Sequence, residues 1–73
     1  MKVGFIGAGR MAQAMGKRMV GSGQVSASDI TISDPNPQAI ESFRELVGDI
    51  AVAENNQACA SDQSLLILAV KPQ

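Results

Sequence analysis

Lys2-Val3-Gly4-Phe5-Ile6-Gly7-Ala8-Gly9-Arg10-Met11-Ala12 decides the fold. Val3, Phe5 and Ile6 make a short β-branched and aromatic strand, which ends on glycine and turns at once into a helix. Gly7, Gly9 and Ala12 stand at the spacing G-x-G-x-x-G/A, the phosphate-binding fingerprint of a dinucleotide fold. Gly7 can adopt the backbone angles of a tight strand-to-helix turn that a Cβ obstructs. Gly9 has no side chain, so a pyrophosphate can approach the main chain. Ala12 is small enough to let the helix lie against the strand. The helix that follows points unpaired N–H groups and its positive dipole end at the same spot, which favours an anion there. Glycine turns are common, and the flanking strand and helix are what give this one its weight.

The elements beyond this turn alternate. Arg10 to about Val20 reads as a helix, with Ala12, Met15, Gly16 and Met19 on one face at i, i+3, i+4, i+7 spacing. That spacing predicts core packing for the methionines rather than a ligand surface. Gly21-Ser22-Gly23 ends the helix, and Ile30-Thr31-Ile32-Ser33 is the second strand. The strand stops at Asp34-Pro35-Asn36-Pro37, where two prolines exclude a central strand. Asn36 and Pro37 fit as cap and first residue of a helix running to about Val47, with Gly48 as its stop. Ile50 to Ala53 is a brief third strand, and a short helical piece follows Glu54-Asn55-Asn56-Gln57. Leu65-Leu66-Ile67-Leu68-Ala69-Val70 is an uninterrupted apolar strand, predicted to be buried on both faces of a parallel sheet.

This order predicts an α/β fold: a Rossmann-like parallel sheet, partial, with strand order 3-2-1-4 and cut short before the rest of the domain. In such sheets ligands bind outside the carboxyl ends of the strands, at the point where the strand order reverses. Gly7-Ala8-Gly9, Asp34 and Ala69-Val70-Lys71-Pro72 therefore converge on one crevice. Asp34 lies about 20 residues past the fingerprint, where a carboxylate accepts from both adenosine ribose hydroxyls, favours NAD(H) and repels a 2′-phosphate. It also fits as the start of the Asp-Pro-Asn-Pro turn, and the two roles are compatible. Asn36 reads as a helix cap that can reach the adenosine side, and Asn56 as a cap of the short helical piece. Lys71 is either a solvated end charge or a cofactor contact.

Bulk properties bound the rest. With 73 residues, 45% hydrophobic, 18% charged and net charge −1, the chain is at most one small globular domain, with no signal for nucleic acid or membrane as partner. There is one cysteine and no histidine, which excludes an internal disulfide and any zinc pattern. Cys59 has no basic neighbour in sequence and reads as a small buried apolar residue. No apolar run reaches the length of a membrane span and no secretory signal opens the chain, so the cytoplasm is the expected compartment. No residue is a credible catalytic acid or base. The last strand lacks its next partner, an apolar edge of the kind that invites self-association.

Three stretches together resemble pyrroline-5-carboxylate reductase: the opening Met1 to Ala12, Ile32-Ser33-Asp34-Pro35, and the closing Leu68-Ala69-Val70-Lys71-Pro72-Gln73. The last is the most discriminating, because G-F-I-G-x-G is shared with 3-hydroxyisobutyrate and 6-phosphogluconate dehydrogenases. Those relatives usually carry Gly-Leu-Gly at the turn and Asn-Arg-Thr after the second strand, and this chain has neither. A non-catalytic nucleotide-binding module is the alternative from a different class. The resemblance implies reduction of Δ1-pyrroline-5-carboxylate to L-proline by NAD(P)H, the last step of proline biosynthesis. It implies that Ile6, Gly7, Ala8, Gly9, Arg10 and Met11 hold the pyrophosphate and that Asp34 and Asn36 sit near the adenosine ribose. It also implies that Asn56 helps bind that end, 2′-phosphate included, and that Ala69, Val70, Lys71 and Pro72 line the pyrophosphate and nicotinamide ribose. NADPH-preferring members often show Ser, Thr or an Asn-Arg pair around position 34, so Asp34 argues against strict NADPH preference. Residues 1–73 correspond to the first part of the family's NAD(P)-binding domain. The helical domain that forms the dimer and holds the imino acid is not among them, and the 73-residue chain by itself is expected to be inactive.

Overall fold

A computed structural model describes residues 1–70, and Lys71 and Pro72 lie outside the described residues. Alternating strands and helices build one parallel sheet: β1 (Val3–Ile6), α1 (Arg10–Gly21), β2 (Ile30–Ser33), α2 (Pro37–Val47), β3 (Ala51–Val52), α3 (Asn56–Ala60) and β4 (Leu65–Leu68). The strand order is β3-β2-β1-β4, as the alternation predicts. Val3 pairs with Ile30 on one side and Leu65 on the other, and Ile6 with Ser33 and Leu68. The carboxyl ends of β1, β2 and β4 thus finish level with one another.

The two-residue period of the strands sorts their side chains onto two faces. Val3 and Phe5 of β1 and Ile30 and Ile32 of β2 are fully buried in the main core, which also takes Ala12 of α1 and Phe43 of α2. Phe5 and Phe43 meet edge to face with ring centroids 5.5 Å apart, and burying each ring stabilises the fold by about 1.5–3 kcal/mol. Gly16 lets the two helices close on this core, since a Cβ there stands 2.8 Å from the Phe43 ring. Gly16→Ala is expected to lower the thermal midpoint by several degrees, corresponding to about 1–2 kcal/mol of overpacking.

The opposite face is covered by α3 alone. Gly4 of β1 makes room for it, because a Cβ would lie 3.0 Å from the Cys59 carbonyl. Cys59 is fully buried, and its Sγ sits 3.4 Å from the Phe5 carbonyl and 3.5 Å from that of Thr31. Burial pushes this thiol above its ordinary value, against a smaller opposite effect of the Phe5 main chain, which fits the inert apolar role expected of it.

Signals for α2 act where the sequence has them. Asn36 Oδ1 accepts from the Gln38 N–H at 3.0 Å, Pro37 opens the helix, and Gly48 closes it with φ +124°. Three expectations change. The short helix is capped by Asn55, whose Oδ1 accepts from the Ala58 N–H at 2.8 Å, and Asn56 is its first residue. Of the α1 methionines, Met19 packs against the core whereas Met15 is 37% exposed; α1 meets the core through Ala12 and packs on α2 through Gly16.

The largest change concerns β4, expected to be buried on both faces. Leu66 is 40% and Leu68 70% exposed, while only Ile67 and Ala69 pack against the core. β4 is an edge strand, and the five-residue α3 reaches across β1 and β2 but not over it. A further feature is a 3-10 turn at Ala27–Asp29, closed by a reciprocal cap in which Asp29 accepts from both the N–H and the hydroxyl of Ser26. Those two bonds, the main-chain one first, hold the Asp29 carboxyl below its ordinary value.

Candidate functional site

The glycine turn is built by geometry that only glycine supplies at Gly7. Its φ is +102°, and a Cβ would fall 2.8 Å from the Ala69 carbonyl carbon. The Gly7 N–H donates to the Ser33 carbonyl at 2.8 Å and the Ala69 N–H to the Ile6 carbonyl at 2.8 Å. The turn is thereby tied to the ends of β2 and β4 at once. Gly9 is different in kind. Its backbone is extended, at φ −75° and ψ −168°, and a Cβ would meet nothing within 4 Å. The bare position therefore serves the open space beside it and not the fold.

Gly9 is also the cap residue of α1, with no side-chain cap bond, and no acidic residue stands in the first turn. The N–H groups of Gly9, Arg10 and Met11 donate to no described residue. N–H groups at a helix start with no partner among the described residues, beside an open position at Gly9, suit an anion. The Ala8 N–H is not among them, because it donates to Asp34 Oδ2 at 2.8 Å. Gln13 Nε2 donates to the Ala8 carbonyl at 3.0 Å and braces the turn from the helix side.

Asp34 joins the turn to the next loop. Its Oδ1 accepts from the Asn36 N–H at 2.8 Å, so one carboxylate spans the glycine turn and the start of α2. Each carboxylate oxygen has a second lone pair available to a ligand hydroxyl. The turn role of Asp34 thus leaves acceptor capacity on a carboxylate that also lines a groove. Asn36 likewise spends its Oδ1 on the helix cap and keeps its amide N–H groups.

Gly7, Gly9, Asp34, Pro35, Asn36, Ala39, Ala69 and Val70 line one groove of about 400 Å³. The structure therefore brings together the fingerprint, the end of β2 and the end of β4. Arg10 and Met11 are exposed at the start of α1, and Ile6 closes β1 beneath the turn. Asn56 is set apart from the groove, in an adjoining recess of about 290 Å³ that shares Asp34 and Pro35 with it. A third depression, on the C-terminal half of α1 between Met15, Arg18, Met19, Ser22 and Gln24, is about 500 Å³ and holds none of the free main-chain donors. No group of side chains suited to a metal ion exists among the described residues.

The family model described as NADP oxidoreductase, coenzyme F420-dependent, matches residues 2–73. The chain belongs to this family. Its relatives include pyrroline-5-carboxylate reductase 3 of Danio rerio, 38% identical over 72 residues, covering 99% of this chain and 24% of that protein. The pyrroline-5-carboxylate reductase of Haemophilus influenzae is 39% identical over 71 residues, covering 97% of this chain and 25% of that protein. That of Escherichia coli is 35% identical over 71 residues, with 97% and 26% covered. The chain spans about a quarter of the length of the curated relatives it matches. Family and fold agree on a nucleotide-binding oxidoreductase module with a nicotinamide dinucleotide as its cofactor. No helix among the described residues is long and apolar enough to cross a membrane.

Two features of the site had no local signal in the sequence. The Asp34–Ala8 bond joins residues 26 apart, and Ser33 Oγ donates to Asn56 Oδ1, 23 residues away, at 2.8 Å.

Proposed function

We propose that this chain is the first part of the NAD(P)H-binding domain of a pyrroline-5-carboxylate reductase, and that its groove holds the cofactor's adenosine diphosphate half. The observation that carries this is a groove lined by Gly7, Gly9 and Asp34 at the start of α1, whose first N–H groups have no partner among the described residues. Main-chain donors and the helix dipole favour a diphosphate there without a side-chain cation. Asp34 accepts from the adenosine ribose hydroxyls while its bond to Ala8 keeps the turn in place. Ala69 and Val70 line the same groove, and the resemblance adds Lys71 and Pro72, outside the described residues, as contacts to the pyrophosphate and nicotinamide ribose.

When bound, the nicotinamide ring supplies the hydride that reduces the C=N bond of pyrroline-5-carboxylate to L-proline. The residues of this chain bind and orient, and no proton transfer is assigned to them. The relatives are about four times longer, which supports placing the imino-acid site and a homo-oligomer interface in sequence other than this. A 73-residue piece that seats no substrate against the ring is inactive by itself.

The cofactor form follows from Asp34. A carboxylate there accepts from a 2′-hydroxyl and repels a 2′-phosphate, so NADH is favoured over NADPH. Asp34→Ser is expected to shift the ratio of NADH to NADPH affinity toward NADPH by about tenfold, roughly 1.4 kcal/mol. Paired titrations with the two cofactors measure it, and an unchanged ratio rejects the role. Turnover of pyrroline-5-carboxylate with either cofactor by the protein that carries this segment tests the function itself.

A further inference from the structure

Successive peptide planes of the glycine turn are held one at a time. The plane that ends in the Gly7 N–H is fixed by its bond to the Ser33 carbonyl at 2.8 Å. The next ends in the Ala8 N–H, which donates to Asp34 Oδ2 at 2.8 Å. The third contains the Ala8 carbonyl and the Gly9 N–H. Among the described residues it is held only by Gln13 Nε2, which donates to the Ala8 carbonyl at 3.0 Å. The fourth is held by the Gln13 main chain, whose N–H donates to the Gly9 carbonyl at 2.9 Å.

The third plane is the one that local sterics leave loose. It turns by paired rotation of Ala8 ψ and Gly9 φ, and glycine accepts either sign of φ. Nothing around Gly9 blocks the turn, since even a Cβ there would meet no atom within 4 Å. The bare residue that opens space for a diphosphate thus also frees the amide that would greet it. Gln13 removes that freedom. No peptide bond here is cis, and in a trans plane C=O and N–H point opposite ways. An Ala8 carbonyl drawn to the Gln13 amide therefore turns the Gly9 N–H away from Gln13. Gln13 itself is half-buried and is not among the described residues that line the groove.

We propose that Gln13 is a positioning residue for the cofactor's diphosphate: its side chain, in the first turn of α1, sets the plane whose N–H at Gly9 meets a phosphate oxygen. It acts through Ala8 and touches no ligand. This rests on the reading that the groove holds the dinucleotide.

The test is a set of NADH and NADPH titrations on the protein that carries this segment and on its Gln13→Met and Gln13→Asn variants, each also combined with Gly9→Val. Methionine matches glutamine in helix propensity and donates nothing, and asparagine keeps the amide on a side chain one methylene shorter. Either change is expected to weaken both cofactors about fivefold, the effect of one hydrogen bond, and to leave their ratio unmoved, because both carry the diphosphate. With Gly9→Val the diphosphate is already held off the main chain, so the same changes cost nothing further. A brace that served folding alone would lower the melting midpoint and leave the affinity of the folded protein as it was. That result overturns the proposal, as do equal losses in the two backgrounds, a moved ratio, or variants that fail to fold. A parent protein that binds neither cofactor removes the dinucleotide reading and this inference with it, whereas tight binding unmoved by Gln13→Met removes this inference alone.

Discussion

Gly7→Val is expected to lower the unfolding free energy by about 3 kcal/mol or more, from positive-φ strain and steric overlap combined. The backbone stands at φ +102°, where a β-branched side chain is strained whatever space surrounds it. Space is also missing, with the Ala69 carbonyl carbon and oxygen both 2.8 Å from an added Cβ and the Val70 nitrogen at 3.0 Å. Those atoms are main chain and belong to the end of β4, so relief requires pulling β4 from β1. A chain of this length has a total stability of roughly 4–11 kcal/mol, and the loss removes a large share of it. Urea unfolding followed by circular dichroism measures the change. An unaltered midpoint would show that the turn does not need the left-handed backbone.

Gly9→Val separates binding from folding. Its backbone angles suit any residue and an added Cβ touches nothing, so the melting midpoint should fall by no more than a few degrees, the cost of a poorer helix cap. The isopropyl group would instead stand in the groove beside the free N–H groups of Arg10 and Met11. Cofactor affinity is expected to fall about 100-fold, roughly 2.7 kcal/mol, as the diphosphate is held off the main chain. Titration of the parent and the variant with NADH decides it. Full affinity in a folded Gly9→Val protein would put the ligand elsewhere.

Together these glycines explain why so much of the fold is legible from the chain. Gly7 and Gly9 carry separate requirements, one steric and one for ligand access, and a sequence that meets both at the right spacing has few other uses for them. The bounds of β2 and α2 are likewise written in local chemistry: Asn36 and Pro37 at the start of the helix, Gly48 at its end. The Ser26 and Asp29 pair is an equally local cap, but the 3-10 turn it closes is three residues long and carries no apolar periodicity to announce it. Adjacent asparagines make the α3 cap ambiguous, since either side chain suits a free N–H of the first turn; in the fold Asn55 takes it and Asn56 bonds Ser33.

What was not legible depends on what lies across the fold. An unbroken apolar run fits a doubly buried strand, yet Leu66 and Leu68 are covered only if something packs beyond β4. Asp34 could be placed at the end of β2 from spacing alone. Its grip on Ala8, and the bond between Ser33 and Asn56, exist only once β1, β2 and α3 are brought together. These are the contacts that convert a glycine turn into a shaped site.

The most direct test is a titration of the ¹⁵N-labelled protein with NADH, read at the backbone amides. The largest shifts are expected at Gly9, Arg10 and Met11, with smaller ones at Asp34 and Ala69 along the same groove. Amides of Gly9, Arg10 and Met11 that stay unmoved at saturating NADH, or shifts confined to the Met15–Gln24 side of α1, would contradict the account.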